Sequence, residues 1–228
     1  MSGGDPLAAL DPAGREALAA VLELLSSERA SVSSVVDERA WRVHVADSLT
    51  GLEVAELRSA GRIADVGAGA GFPGLALAVA LPEARVDLIE SVGRKCEFVE
   101  RAIAAAGIAN ATVLNLRSED WAGGQGREAY DAVTARAVGR LSTLAELASP
   151  LLREGGVLVA WKGRRDADEE RQLAGAAESL AMAPEQILDV GGQQSGSEHR
   201  HLHVIRKVGP TPPDLPRRPG IAKKRPKG

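Results

Sequence analysis

Through the first 58 residues, apolar positions fall three and four apart. Leu18, Val21, Leu22 and Leu25 then share one face of a helix, and no run of strand-forming residues interrupts the pattern. From Arg62 the rhythm changes. Short β-rich runs at 62–66, 85–90, 112–116, 130–135 and 156–161 alternate with stretches rich in Ala and Leu, the signature of parallel βαβ units. Two further runs, 186–190 and 201–207, bring the number to seven, and the second alternates apolar with polar residues. The Gly- and Gln-rich stretch 191–197 reads as a loop between them. The expected fold class is therefore α/β, with one doubly wound, mostly parallel, seven-stranded sheet of Rossmann-like type. An N-terminal helical cap (1–58) precedes the α/β domain (59–208), and a basic, proline-rich tail (209–228) follows it.

Composition narrows the class. At 228 residues with 44% apolar content, the chain can bury one α/β core and a small appendage. No apolar run approaches the roughly 20 residues that cross a bilayer, and the N-terminus lacks the basic-then-apolar order of a signal peptide. A cytoplasmic protein with no membrane partner is expected. Cys96 is the only cysteine, which excludes an internal disulfide, a thiolate metal cluster and a Cys-X-X-Cys redox pair. His199, His201 and His203 alternate, so a strand would set all three on one face, where they could bind a metal. A solvated or RNA-facing strand is the plainer reading, and no metal is expected.

The net charge of −3 conceals an asymmetry. Residues 206–228 hold eight cations against one acid, Asp214, leaving 20 cations and 30 acids in the rest. An acidic body with a basic end is repelled by polyanions except where that end docks. The prolines at 210, 212, 213, 216 and 219 are expected to extend the segment while adding no core, leaving it to solubilise the chain or to dock RNA.

The strongest chemical signal follows the first strand: Asp65-Val66-Gly67-Ala68-Gly69-Ala70-Gly71-Phe72-Pro73-Gly74. Glycines there allow a sharp turn and close approach to a ligand, and the next helix offers unpaired amides. Gly67, Gly69 and Gly71 are candidate cofactor contacts. Glu90 ends the next strand, where a carboxylate can accept from both ribose hydroxyls. The spacing is not the Gly-X-Gly-X-X-Gly of dinucleotide sites, and Asp65 in front would repel a pyrophosphate. Both features suit S-adenosylmethionine, which carries an ammonium and a sulfonium, and so point to a class I methyltransferase. Beyond the third strand, Ser118 and Glu119 are placed to meet adenine. Ser118 also reads as a helix N-cap.

Catalysis turns on the end of the fourth strand, Thr134-Ala135-Arg136-Ala137. The Asn/Asp-Pro-Pro-aromatic loop of exocyclic-amine methyltransferases is absent. Cys96, early in the helix after the second strand, reads as core rather than as the nucleophile that pyrimidine-carbon methylation needs. What remains is a target that is already nucleophilic, such as a ring nitrogen. Guanine N7 carries a lone pair and no proton, so alignment and exclusion of water can suffice. Arg136 would then hold guanine O6, a phosphate or the methionine carboxylate, or close a surface ion pair. Lys162 lies on the same edge and could bind RNA or merely be solvated, and Trp161 reads as core.

Taken together the chain resembles the bacterial RsmG family, also called glucose-inhibited division protein B. The resemblance rests on Arg42-Val43-His44-Val45-Ala46-Asp47-Ser48-Leu49, the glycine-rich turn with its Gly71-Phe72-Pro73-Gly74 ending, and Glu90-Ser91-Val92-Gly93-Arg94-Lys95. It rests also on Arg136-Ala137, Trp161-Lys162-Gly163 and the ending Pro219-Gly220-Ile221-Ala222-Lys223-Lys224-Arg225-Pro226. It implies formation of 7-methylguanosine in 16S rRNA, with the small ribosomal subunit as partner and S-adenosylmethionine as donor. It implies cofactor contacts at Gly67, Phe72, Ser118, Glu119 and Arg136. His44 and Asp47 match a motif that serves either packing or catalysis, and Arg136, Lys162 and His44 are the catalytic candidates.

Three rivals follow. A methyltransferase acting on a small molecule or another RNA would keep turnover after loss of residues 215–228 if the small molecule is its substrate. A nicotinamide oxidoreductase would bind NADH instead. A non-catalytic ribosome-assembly factor would transfer no methyl group.

Overall fold

The computed structural model describes residues 5–28, 39–192 and 199–227. The first α-helix, α1 (Pro12–Ser27), starts where Asp11 accepts the Gly14 amide at 2.7 Å and Pro12 occupies the first turn, where its missing N–H costs nothing. The cap continues through a π-helical turn (Trp41–Ala46), α2 (Asp47–Leu49), a 3₁₀ turn (Thr50–Glu53) and α3 (Ala55–Arg58). Residues 193–197 of the expected 191–197 loop lie outside the described residues.

Among the described residues, seven strands form one sheet in the order β3-β2-β1-β4-β5-β7-β6. They are β1 (Arg62–Val66), β2 (Arg85–Glu90), β3 (Ala111–Asn115), β4 (Tyr130–Arg136), β5 (Leu152–Lys162), β6 (Met182–Asp189) and β7 (His201–Lys207). β7 alone runs opposite to the other six strands. Helices α4 (Gly74–Ala80), α5 (Gly93–Ala106), α6 (Ser118–Ala122), α7 (Leu141–Ala148) and α8 (Ala167–Ala176) fill the crossovers, and a short α9 (Ile221–Lys224) closes the chain. The chain order reverses between β1 and β4, so a crevice opens at their carboxyl ends, where doubly wound sheets bind ligands.

Side chains of a strand alternate between faces, and the core divides accordingly. Ile63, Val86, Leu88, Val157 and Val159 pack with Leu18, Val21 and Leu25 of α1 and with Phe98 and Val99 of α5. Ala64, Val133, Leu158 and Ile205 pack on the other face with Leu141 and Leu144 of α7 and Leu173 of α8. The cap thus shares one core with the sheet. No helix among the described residues is long and apolar enough to cross a membrane.

The proline-rich end departs from expectation. Leu215 and Ala222 are only 3% and 2% exposed, and Arg217 grips the buried carboxylate of Glu146 at 2.5 and 2.6 Å. The segment therefore adds to the core. A count of prolines and cations misses it because two apolar side chains and one ion pair to a buried carboxylate suffice to seat it.

Candidate active site

Asp65 is the last residue but one of β1 and is 1% exposed. One carboxylate oxygen accepts the Gly74 amide and the other the Thr134 hydroxyl, each at 2.9 Å. Burial pushes its pKa up to about 6, since a low-dielectric site disfavours the charged form. The side chain staples the glycine-rich turn to α4 and β4, and it reaches a ligand through the shape and field of that turn. Gly67 has φ 69°, and a Cβ on it would lie 2.7 Å from Val138 Cγ2. Gly71 was expected among the cofactor contacts, but it lines no part of the groove described below. A Cβ there would lie 2.5 Å from Leu75 Cδ1, so packing against α4 is what excludes a side chain.

Glu90 ends β2 with 7% exposure. It accepts the Gly69 amide at 3.1 Å and the Val92 amide at 2.9 Å, and each oxygen keeps a further lone pair for a ligand. From Glu90 a groove runs along the carboxyl edge in two chambers that share Gly67. The first, about 630 Å³, has apolar walls at Val66, Leu116 and Val138, with Glu90, Ser118 and Glu119 beside them. The second, about 1060 Å³, is lined by His44, Gly69, Phe72, Arg136, Lys162 and Arg200.

Ser118 is the first residue of α6, and the N-cap position belongs to Arg117 without a side-chain capping bond, so the capping role expected of Ser118 is not the one it takes. Its hydroxyl donates to Glu119 at 3.2 Å, and the other Glu119 oxygen accepts the Gly220 amide at 2.8 Å. Gly220 and Lys223 thereby join the wall of the first chamber. Neither was foreseen as a site residue: their basic surroundings were visible in the sequence, their place beside Glu119 was not.

In the second chamber a carboxylate from the cap organises two arginines. Asp47 is fully buried, and it binds Arg136 Nη1 at 2.9 Å and Arg200 Nε at 2.6 Å. Arg136 also donates to the Val43 carbonyl at 3.0 Å. Instead of a surface ion pair, Arg136 makes a largely buried one, with 13% of its side chain exposed. His44 stacks on Phe72 with centroids 5.1 Å apart. Arg200 was missed because nothing in its neighbourhood distinguishes it from a solvated strand start. Lys162 donates to Glu169 at 2.7 Å and to the Gly139 carbonyl at 3.0 Å, so its charge is already compensated.

Trp161 is buried and donates to the Asp47 carbonyl at 2.8 Å. Cys96 is buried outside both chambers, its thiol donating to the Glu90 carbonyl at 3.2 Å and its pKa raised by burial. The three histidines do not share a strand face: His199 precedes β7 and lies 3.1 Å from Arg164 Nη2, while His203 is buried, which lowers its pKa. Among the described residues, no group of three or more His, Cys, Asp and Glu could hold a metal.

The family model described as rRNA small subunit methyltransferase G, GidB, matches residues 16–202. The chain belongs to this family. Relatives named ribosomal RNA small subunit methyltransferase G include one from Rubrobacter xylanophilus, 44% identical over 80% of this chain and 71% of its own. The relative from Moorella thermoacetica is 36% identical over 88% and 84%, and that from Bacillus subtilis 33% identical over 88% and 84%. Among solved structures, a SAM-dependent O-methyltransferase from Thermotoga maritima superposes with TM-score 0.56 at 14% identity, covering 83% of this chain and 71% of that one. At that identity the likeness speaks for the Rossmann-like methyltransferase fold alone. The GidB match and the two-chamber edge describe one region, since residues 16–202 contain every groove residue named above except Gly220 and Lys223.

Proposed function

We propose that the chain transfers a methyl group from S-adenosylmethionine to N7 of a guanine in 16S rRNA of the small ribosomal subunit, in the cytoplasm. The observation that carries this reading is the two-chamber groove across the switch point of the sheet. Its narrower chamber has apolar walls with Glu90 and Glu119 beside them, and its wider chamber has two arginines held on one carboxylate. The relatives' name supplies the substrate class.

The residues present fit the donor. Glu90 would accept from the ribose hydroxyls, and Leu116, Ser118 and Glu119 would meet adenine. The cradle at Gly67 and Gly69 leaves room for the methionine portion, which a Cβ at Gly67 would crowd through Val138. Arg136 would pair with its carboxylate. When bound, the sulfonium supplies an electrophilic methyl group.

The protein's own part is alignment. N7 has no proton to lose, so neither His44 nor Lys162 need act as a base. His44, stacked on Phe72, shapes the chamber wall, and Lys162 fixes Gly139 beside it. Holding an exposed lone pair in line and excluding water can supply a large share of the acceleration, roughly 7–11 kcal/mol at best.

The test is transfer of labelled methyl to unmodified small subunits, mapped by cleavage selective for 7-methylguanosine. Label at a single guanine is expected. Label on another atom would overturn the N7 assignment, and absence of transfer would overturn the reading as a whole.

A further inference from the structure

The chain's end is already bound on one side. Gly220 is latched to Glu119, the Ala222 carbonyl accepts the Thr143 hydroxyl at 3.3 Å, and Arg217 is locked to Glu146. Gly220, Thr143 and Lys223 all line the first chamber. The other side is open. Arg218, Lys223, Lys224 and Arg225 are exposed and form no ion pair or side-chain hydrogen bond among the described residues. Arg117, exposed and equally unpaired, lines the same chamber. A protein with 31 acids and 28 cations could neutralise these charges internally, as it does for Arg217 and for Lys227, which meets Asp214 at 2.7 Å.

We propose that residues 215–227 form one element serving two ligands: the inner side completes the adenosine chamber, and the outer side docks the phosphate backbone of RNA. The proposal rests on the functional reading above and adds to it a docking surface and a linkage. Unpaired cations are what a polyanion needs, because each phosphate contact releases a counterion. A ligand filling the first chamber fixes the wall that presents them, so cofactor and RNA bind with positive coupling, and the coupling is reciprocal.

The test uses the full-length protein and unmodified small-subunit RNA, with affinity measured across a salt series, with and without S-adenosylhomocysteine. The homocysteine analogue is expected to tighten RNA binding by about fivefold or more. The triple variant Arg218→Ala, Lys224→Ala, Arg225→Ala is expected to reduce the slope of log affinity against log salt by about 2 to 3, with cofactor affinity in the absence of RNA unchanged. Lys223→Ala is expected to weaken both ligands. Unchanged RNA affinity and slope in the triple variant would overturn the docking surface, and equal RNA affinity with and without the analogue would overturn the coupling. Failure of the functional reading looks different: the wild-type protein would bind the RNA and transfer nothing to it.

Discussion

At the amino edge of the sheet, Arg62 meets Asp87 at 3.1 Å, Arg153 meets Asp131 at 2.6 Å, and Arg206 lies between Glu56 and Glu185. Each of these three cations closes on an acid of another strand or helix. At the carboxyl edge Arg94, Arg117 and Arg140, at the starts of α5, α6 and α7, stand exposed with no ion pair among the described residues. In the second chamber Arg136 and Arg200 share the single carboxylate of Asp47, and beside it Lys162 and Arg165 each close on an acid of α8. The same residue types thus do two jobs. Matched charges tie strands together, whereas a surplus of positive charge leaves donors for an anion, and this is how a chain of negative net charge presents a cationic rim.

The sharpest way to break the comparison is Asp47→Ala. It would leave two largely buried guanidiniums facing each other, and removing one partner of a buried pair costs about 3–5 kcal/mol. Denaturant unfolding is expected to show a loss in that range, together with loss of methyl transfer by the molecules that remain folded. Asp131→Ala, at the opposite edge, also strips the Gly61 and Arg62 amides of their acceptor. It is expected to cost about 1–3 kcal/mol while transfer per folded molecule stays near wild type. Equal damage to transfer by both would mean that the edges do not differ in kind.

Asp65 sharpens the contrast through pH. Its folded pKa of about 6 lies above the ordinary value of 3.8, so between those values the folded state holds a proton that the unfolded state has released. Its contribution to stability is full below pH 4 and is lost as pH rises through 6. The loss is about 3 kcal/mol at 1.36 kcal/mol per unit. In Asp65→Asn this component is expected to vanish, so the stability difference between variant and wild type should shift in the variant's favour from pH 4 to pH 7. A difference independent of pH would show that Asp65 stays ionised throughout.

What could be read in advance follows the range of the interactions. Most of the strands were legible because they carry a buried run, which β3 and β6 lack, and β5 and β6 start at Leu152 and Met182, ahead of the expected 156 and 186. Their first residues are disguised by exposed positions such as Arg153 and Glu154 and by Pro184, where the β6 pairing slips register. The glycine-rich turn was legible since its reason is local. The arginine pair was not: Asp47 is 89 residues from Arg136 and 153 from Arg200, and only the folded cap brings them together. The tail was misread for a related cause, because the surfaces that bury Leu215 and Ala222 exist only after folding. Deleting residues 215–228 would therefore damage any activity that uses the first chamber, and it does not separate an RNA substrate from a small one.

Gly67→Ala asks for less. The substitution places a Cβ at φ 69° and 2.7 Å from Val138 Cγ2, and a left-handed conformation costs a non-glycine residue about 1–2 kcal/mol. Val138 must move toward the groove. Cofactor affinity is expected to fall about tenfold by equilibrium titration, a shift of about 1.4 kcal/mol, and Val138→Ala in the same chain should recover part of it. No recovery would locate the defect in the backbone.

The smallest expected effect falls on Arg153→Ala. Arg153 is 56% exposed and its partner Asp131 28%. Although burial alone would raise the Asp131 pKa, Arg153 and the amides of Arg62 and Gly61 together hold it below the ordinary value. Solvent screens the guanidinium, so exposed pairs of this kind contribute about 0–1 kcal/mol. The amide bonds to Asp131 survive the substitution. Unfolding free energy is expected to change by less than about 1 kcal/mol, and RNA affinity and its salt slope should stay at wild-type values. A drop in that slope would place phosphate at the amino edge, and the division between a closed edge and an open one would then fail at the residue chosen as its control.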